Sequence, residues 1–142
     1  MVKKILLLAL ALIAVGCAEP IPRNLDELVQ QGDTYLDRET MRPYSGPVFR
    51  FLPNDTTRVQ LSANLKDGKL DGPYEDYYEN GQLKEKSTYV AGEFDGPFEL
   101  YHENGQLRLR GTYDMGVKCG EWIEDGETVT YDPCPPALEG GN

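Results

Sequence analysis

The sequence predicts an all-β protein built as a row of consecutive antiparallel hairpins. Two observations carry that expectation. First, the chain repeats itself: Gly72-Pro73-Tyr74 returns as Gly96-Pro97-Phe98 and again as Gly120-Glu121-Trp122, 24 residues apart each time. Aligned without gaps, residues 72–95 and 96–119 agree at half of their positions. A fixed period of this length marks an architecture in which each copy is one supersecondary unit. Second, each full copy holds Asn-Gly between strand-forming runs, at Asn80-Gly81 and Asn104-Gly105. That dipeptide is the strongest short-range hairpin signal.

The chain opens with Met1-Val2-Lys3-Lys4, an apolar run from Ile5 to Val15, then Gly16-Cys17. Two cations, a short apolar stretch and a small residue have the form of a secretory signal peptide. The run is too short to cross a bilayer, which takes about 20 apolar residues. Ile13-Ala14-Val15-Gly16-Cys17 resembles the lipobox of bacterial lipoproteins, with Ala14 where Leu is more usual. The resemblance implies cleavage before Cys17 and acylation of both its thiol and the new amino terminus. Several acyl chains exceed the two signals that stable anchoring requires. Ala18 follows in place of the Asp that often signals inner-membrane retention, which by the same analogy favours the outer membrane where there is one. Residues 1–16 are therefore expected to be a lipoprotein signal peptide, residues 17–27 a lipidated tether, and the cell envelope the site of residence.

Loss of residues 1–16 would remove Lys3 and Lys4 and no acid. Basic residues fall from 14 to 12 against 24 acids, so the formal charge moves from −10 to −12. Such a chain repels nucleic acid and anionic headgroups, and nucleic acid is not an expected partner. After the tether, Asn24–Val29 is compatible with a capped short helix. It is equally compatible with a strand, Leu28–Gln31, turning at Gly32-Asp33 into Thr34–Leu36. Periodicity does not decide over so few residues.

Residues 28–132 are expected to form the repeat domain, with units near 46–71, 72–95 and 96–119, a truncated cap at 120–132 and a tail at 133–142. The first unit, from Gly46-Pro47-Val48, is two residues longer than the others. The surplus is expected in a longer turn around Pro53-Asn54-Asp55-Thr56-Thr57. Within a unit, a two-residue type I′ turn at Asn-Gly would set Tyr78 against Leu83, Tyr77 against Lys84, Asp76 against Glu85 and Glu75 against Lys86. The next unit would set His102 against Leu107, Tyr101 against Arg108, Leu100 against Leu109 and Glu99 against Arg110. The turns between units, such as Val90–Asp95, are expected to be longer.

Side chains alternate across a strand. One face would then hold Val48, Leu52, Val59, Leu61, Leu65, Tyr74, Tyr78, Leu83, Tyr89, Phe98, Leu100, Leu107, Leu109, Tyr113 and Trp122. The other would hold the pairs Glu75–Lys86, Glu99–Arg110, Tyr77–Lys84 and Tyr101–Arg108. Asp76 and Glu85 oppose each other on the apolar face, which is expected to be wet there, because acids are seldom buried unpaired.

With Cys17 lipidated, two thiols remain, and an exported compartment permits them to join. A Cys119–Cys134 bridge is expected, stapling the cap to its neighbour and contributing about 3 kcal/mol in the chain-entropy model. The single His102 with two thiols is too small a set for a zinc site, so no metal is expected.

Gly-Pro-Tyr-x-x-Tyr-Tyr-Glu-Asn-Gly-Gln-Leu, followed by a Tyr and a Gly-x-x-Asp-Gly, resembles the bacterial MORN-variant repeat, often labelled as YwqK-type antitoxin. The lead-in from Tyr35-Leu36-Asp37-Arg38 to Pro43–Val48 is similar too. The likeness spans residues 28–131. It implies one elongated, twisted antiparallel meander of stacked hairpins, and it implies no catalytic residues and no cofactor. Cys119 departs from the pattern, standing where Asp71 and Asp95 stand in earlier copies.

The residues themselves offer no catalytic constellation. His102 has no orienting partner in sequence and replaces a repeat tyrosine. Ser45, Ser62 and Ser87 lack the His–acid neighbourhood of a nucleophile. Asp67, Asp71, Asp95 and Asp125 precede glycines and read as turn residues. An enzyme is not expected. Tyr and Trp are common anchor residues at interfaces, and Tyr77, Tyr101, Lys84 and Arg108 are the candidate partner-binding residues. The leading expectation is a lipid-anchored protein-interaction scaffold. Neutralisation of an exported toxin and binding of carbohydrate or peptidoglycan by aromatics are the alternatives.

Overall fold

The computed structural model describes residues 20–136. Its strands are β1 (Arg23–Asn24), β2 (Val29–Gln31), β3 (Thr34–Leu36), β4 (Gly46–Leu52), β5 (Asp55–Lys66), β6 (Lys69–Tyr77), β7 (Leu83–Val90), β8 (Glu93–Tyr101), β9 (Leu107–Asp114), β10 (Val117–Glu124) and β11 (Glu127–Thr130). Nine strands form one sheet in the order β1-β4-β5-β6-β7-β8-β9-β10-β11. From β4 onward each strand pairs antiparallel with the next in sequence, which makes a long meander. β1 instead pairs parallel to β4, Arg23 against Val48. β2 and β3 form a separate hairpin. A 3-10 turn at Leu25–Glu27 precedes it, capped by the Asn24 side chain accepting from the Asp26 N–H at 3.0 Å. The segment that sequence left open between helix and strand thus contains a short piece of each.

The turns exchange the roles expected of them. At Asn80-Gly81 the Gly81 N–H donates to the Tyr78 carbonyl and the Tyr78 N–H to the Gln82 carbonyl, both at 2.9 Å. Only Gly81 has positive φ there, at 86°. This is a three-residue loop, a type I turn closed by glycine in a bulge, rather than type I′. Asn104-Gly105 repeats it through His102 and Gln106. Asn accepts its own turn's N–H in both tips, from Gln82 at 2.9 Å and Gln106 at 3.0 Å. Type I′ turns lie between units instead, at Asp67-Gly68, Ala91-Gly92 and Met115-Gly116; a fourth, Asp125-Gly126, closes the cap hairpin at the tip end of the sheet. Both central residues have positive φ in each, as type I′ demands. Asp71 and Asp95 sit within strands β6 and β8 rather than in turns. The two surplus residues of the first unit lie where they are expected, between Phe51 and Val59, whose pairing is the counterpart of Tyr77 with Leu83. They take the form of a bulge and not of a longer turn: Leu52 pairs with Asp55 across Pro53-Asn54, and Thr56–Arg58 fall out of register on β5.

The extra residue at each glycine bulge shifts the register at the tips. Glu75–Lys86 and Asp76–Glu85 oppose as expected, but Tyr77 then faces Leu83, with Lys84 bulged out of the pairing. Likewise Tyr101 faces Leu107, not Arg108, while Leu100–Leu109 and Glu99–Arg110 hold. Phe51 faces Val59 by a similar slip. Val59, Leu83 and Leu107 therefore lie on the face opposite to the one expected.

The inner face carries a cross-sheet row with alternating bulk. Val48 pairs with Ala63, Ala63 with Tyr74, Tyr74 with Ser87, Ser87 with Phe98 and Phe98 with Gly111. Trp122 lies over Gly111, where an added Cβ would come within 2.1 Å of the indole. Large residues (Tyr74, Phe98, Trp122) and small ones (Ala63, Ser87, Gly111) each recur with the repeat period. Each ring covers the small residue of the adjacent strand, so a single layer packs against itself. Trp122 is fully buried, its Nε1–H donating to the Cys119 and Thr112 carbonyls at 3.1 and 3.2 Å. Beside the row a chain of ring contacts runs Tyr74, Tyr89, Phe94, Tyr113, Trp122, with neighbouring centroids 4.6 to 5.5 Å apart. Such pairs contribute about 0.5–1.5 kcal/mol each beyond burial.

The N-terminal segment supplies a second layer over one end of this face only. Leu25 and Leu28 join Val48, Leu61, Ala63 and Leu65 in a core against which Tyr35, Tyr44, Leu70 and Tyr74 pack. Backbone bonds stitch it to the first inter-unit turn: the Tyr35 N–H donates to the Gly68 carbonyl at 2.7 Å and the Gly68 N–H to that of Tyr44 at 2.8 Å. At the other end Cys119 and Cys134 are joined, with Cα atoms 4.8 Å apart. The bridge holds the segment after β11 to β10.

Candidate interaction surface

The outer face is built by the same pairings. Its central row reads Phe49, Ser62, Glu75, Lys86, Glu99, Arg110, Ile123, Thr128 across β4 to β11. The acids and bases pair along it, Lys86 to Glu75 at 3.4 Å and Arg110 to Glu99 at 2.9 Å. Exposed pairs of this kind are worth about 0–1 kcal/mol; they order the surface more than they hold the fold.

Towards the Asn-Gly tips a second row runs Phe51, Val59, Tyr77, Leu83, Tyr101, Leu107, aromatic and aliphatic on alternate strands. Phe51, Tyr77 and Tyr101 occupy one repeat position, and so do Val59, Leu83 and Leu107. The rings are oriented: the Tyr77 hydroxyl donates to Glu75 at 2.8 Å and the Tyr101 hydroxyl to Glu99 at 2.7 Å. Each carboxylate beside its phenol pushes the phenol's pKa up, so both rings stay neutral donors. Away from the tips a third row alternates Pro73 with Thr88 and Pro97 with Thr112. Shallow grooves follow one another along this side, about 540, 330 and 460 Å³. They are bounded by Pro47 and Pro73, by Pro73 and Pro97, and by Pro97 and Glu121.

The four residues singled out from sequence divide. Tyr77 and Tyr101 are on this outer face, half-buried and equivalent. Lys84 is not beside Tyr77. The bulge turns it to the inner side, where its Nζ pairs with Asp76 at 2.9 Å and lies 6.0 Å from the Tyr78 ring centroid. Arg108 is exposed and bulged, and its carbonyl accepts the Asp125 N–H at 2.7 Å. Cys17 lies outside the described residues.

Lys84 also resolves the opposed acids. Asp76 is buried, at 8% exposure, rather than wet, and the Lys84 ammonium is its counter-charge. Glu85 accepts the Ser87 hydroxyl at 2.8 Å. Burial, and then the neighbouring Asp76, hold its pKa above the usual carboxylate range. His102 does meet an acid, its Nε2 3.5 Å from the Asp125 carboxylate, but both are exposed at the rim. Among the described residues no group of His, Cys, Asp or Glu is arranged to hold a metal. None of the helices there is long and apolar enough to cross a membrane.

A meander of equivalent hairpins with a self-packed inner face and a patterned outer face defines a repeat protein. Residues 70–91 and 94–115 each match the family model described as MORN repeat variant. The two segments are two successive hairpins of this sheet, so the chain carries two MORN-variant repeats at its centre. No curated protein and no solved structure matches the chain.

Proposed function

We propose that this chain is a non-catalytic scaffold, anchored in the cell envelope through a lipidated Cys17, that binds protein through its outer face. The observation that carries the reading is the alternating aromatic–aliphatic row from Phe51 to Leu107. Those side chains face away from the packed inner layer and stand beside a charged row, the composition of an interface centre with a polar rim. MORN-variant repeats supply a surface rather than a reaction centre, which agrees with it. Photo-activatable residues placed at Tyr77 and Tyr101 in living cells should yield cross-links of discrete mass. Tyr77→Ala with Tyr101→Ala should abolish cross-linking from Thr88, a neighbouring outer-face position, while leaving the far-ultraviolet spectrum unchanged. Diffuse or absent cross-links from all three positions would sink the reading. Anchoring is tested separately: Cys17→Ser should block acyl labelling and release the protein from the envelope fraction.

A further inference from the structure

We infer that the outer face takes a second copy of this chain, packed face to face about a two-fold axis that runs along the strands between β7 and β8. The inference rests on the outer face being an interaction surface and names its occupant. Register is the ground for it. Half a turn about such an axis exchanges β6 with β9 and β7 with β8 and keeps each residue's position along the strands. The central row Glu75, Lys86, Glu99, Arg110 lies on those four strands in that order. Glu75 therefore meets the second copy's Arg110, and Lys86 meets the second copy's Glu99. All four contacts join opposite charges.

The flanking rows agree. Tyr77 meets the second copy's Leu107, and Leu83 meets its Tyr101, so the apolar row covers itself. Pro73 meets Thr112 and Thr88 meets Pro97, which brings no bulky or charged group into the third row. Other arrangements fail on the same rows. An axis across the strands along the central row stacks Glu75 on Glu75 and Lys86 on Lys86, and one between the central and apolar rows sets Glu75 on Tyr77 and Lys86 on Leu83. An axis one strand to either side leaves two of the four charges facing Phe49, Ser62, Ile123 or Thr128. Like charges placed together cost several kcal/mol and set register, and a two-fold interface requires a self-complementary patch.

The area is adequate. Strands β5 to β10 lie symmetrically about the axis, and with spacings of about 4.8 Å between strands and 3.3 Å per residue they offer about 500 Å² per copy. The pair would bury roughly 1,000 Å², the lower bound for a specific interface. Facing sheets pack about 30° from aligned, so contacts nearest the axis keep register best. Those are Lys86–Glu99 and Leu83–Tyr101.

The test uses the full chain extracted in detergent and read by native mass spectrometry. Wild type should dimerise. Lys86→Glu places like charges at both central contacts, and so does Glu99→Lys; each alone should weaken the dimer at least tenfold. Mixed in equal amounts, the two variants should recover it, because every contact in the mixed pair is again opposite in charge. Recovery on mixing has no counterpart in a folding defect. Should a charge variant not fold, two chains with one added cysteine each, Leu83→Cys and Tyr101→Cys, should be joined when mixed by a short bis-thiol reagent that spans the ~10 Å between facing sheets. Single charge variants that dimerise like wild type, a mixture that stays monomeric, or added-cysteine chains that the reagent does not join would overturn the two-fold arrangement. A wild type that is monomeric throughout would do so too, and would leave the outer-face reading to its cellular cross-links, whose mass then reports a different partner.

Discussion

Gly111 and Glu85 show how single residues decide this fold. Gly111 is helical in neither sense nor forced by a positive φ; its value is the absence of a side chain beneath Trp122. Gly111→Ala should destabilise by about 2–3 kcal/mol, the cost of overpacking a filled site, and Trp122→Ala by about 3–5 kcal/mol. Urea denaturation of both variants checks the pair, and a Gly111→Ala change within 0.5 kcal/mol of wild type (roughly the noise of a surface substitution) would contradict the packing. Glu85 sets a pH dependence. Its folded pKa is raised, so the folded state binds its proton more tightly than the unfolded chain does. Its contribution is fully present below the ordinary glutamate pKa and is lost as pH rises through the raised folded value. Glu85→Gln should remove that slope and leave the variant more stable than wild type at neutral pH. Melting curves across the mildly acidic range read this directly. The sequence showed the opposition of Asp76 and Glu85 but not its resolution, because Lys84 reaches Asp76 only once a bulge has turned it inward.

The hairpins were legible as hairpins, and their period located every strand from β4 to β10. What sequence assigned wrongly was the kind of turn at each end. Asn-Gly satisfies two turn types, and the choice between them rests on whether one residue or two adopt positive φ, which composition does not separate. The consequence ran along the strands: one residue more in each tip carried Val59, Leu83 and Leu107 to the outer face and Lys84 to the inner one. The inter-unit turns were harder to see because Ala91 and Met115 are poor residues for positive φ, at 51° and 44°. A side chain in that region costs about 1–2 kcal/mol relative to its preferred conformation. Ala91→Gly should therefore gain about 0.5–1 kcal/mol, less the extra entropy of glycine in the unfolded chain. Ala91→Asn, which brings a residue tolerant of the region, should gain a similar amount. Thermal denaturation checks the series, and a loss of stability in both variants would contradict the assigned turn. Either substitution keeps the backbone N–H of residue 91, which in Ala91 donates to the Asp71 carboxylate at 3.2 Å.

At the scale of the molecule, contacts between elements among the described residues join almost exclusively neighbours in the meander, so stability is close to a sum of units and their interfaces. Inserting a second copy of residues 72–95 after Asp95 should give a folded, longer protein whose urea m-value rises with the added surface. A chain that loses cooperative unfolding on insertion would show that the two ends interact in a way the pairings do not reveal. The ends differ because each closes the array by its own device, an N-terminal layer on one side and the Cys119–Cys134 bridge on the other. The layer was only half legible, since its cover over Val48 and Leu65 depends on chain that returns to the sheet after two short, separate elements.

The parallel course of β1 beside β4 fixes how such an array would hang. Arg23 enters next to Val48 and runs towards the Asn-Gly tips, so the chain arrives from the side of the inter-unit turns. A lipid at Cys17 would be six residues away, a leash of about 20 Å at full stretch. The inter-unit turns would then look towards the bilayer and the tips away from it. Half a turn about an axis along the strands preserves that direction. Both leashes of a pair would descend to one membrane, on opposite flanks, and the assembly would stand upright on two feet.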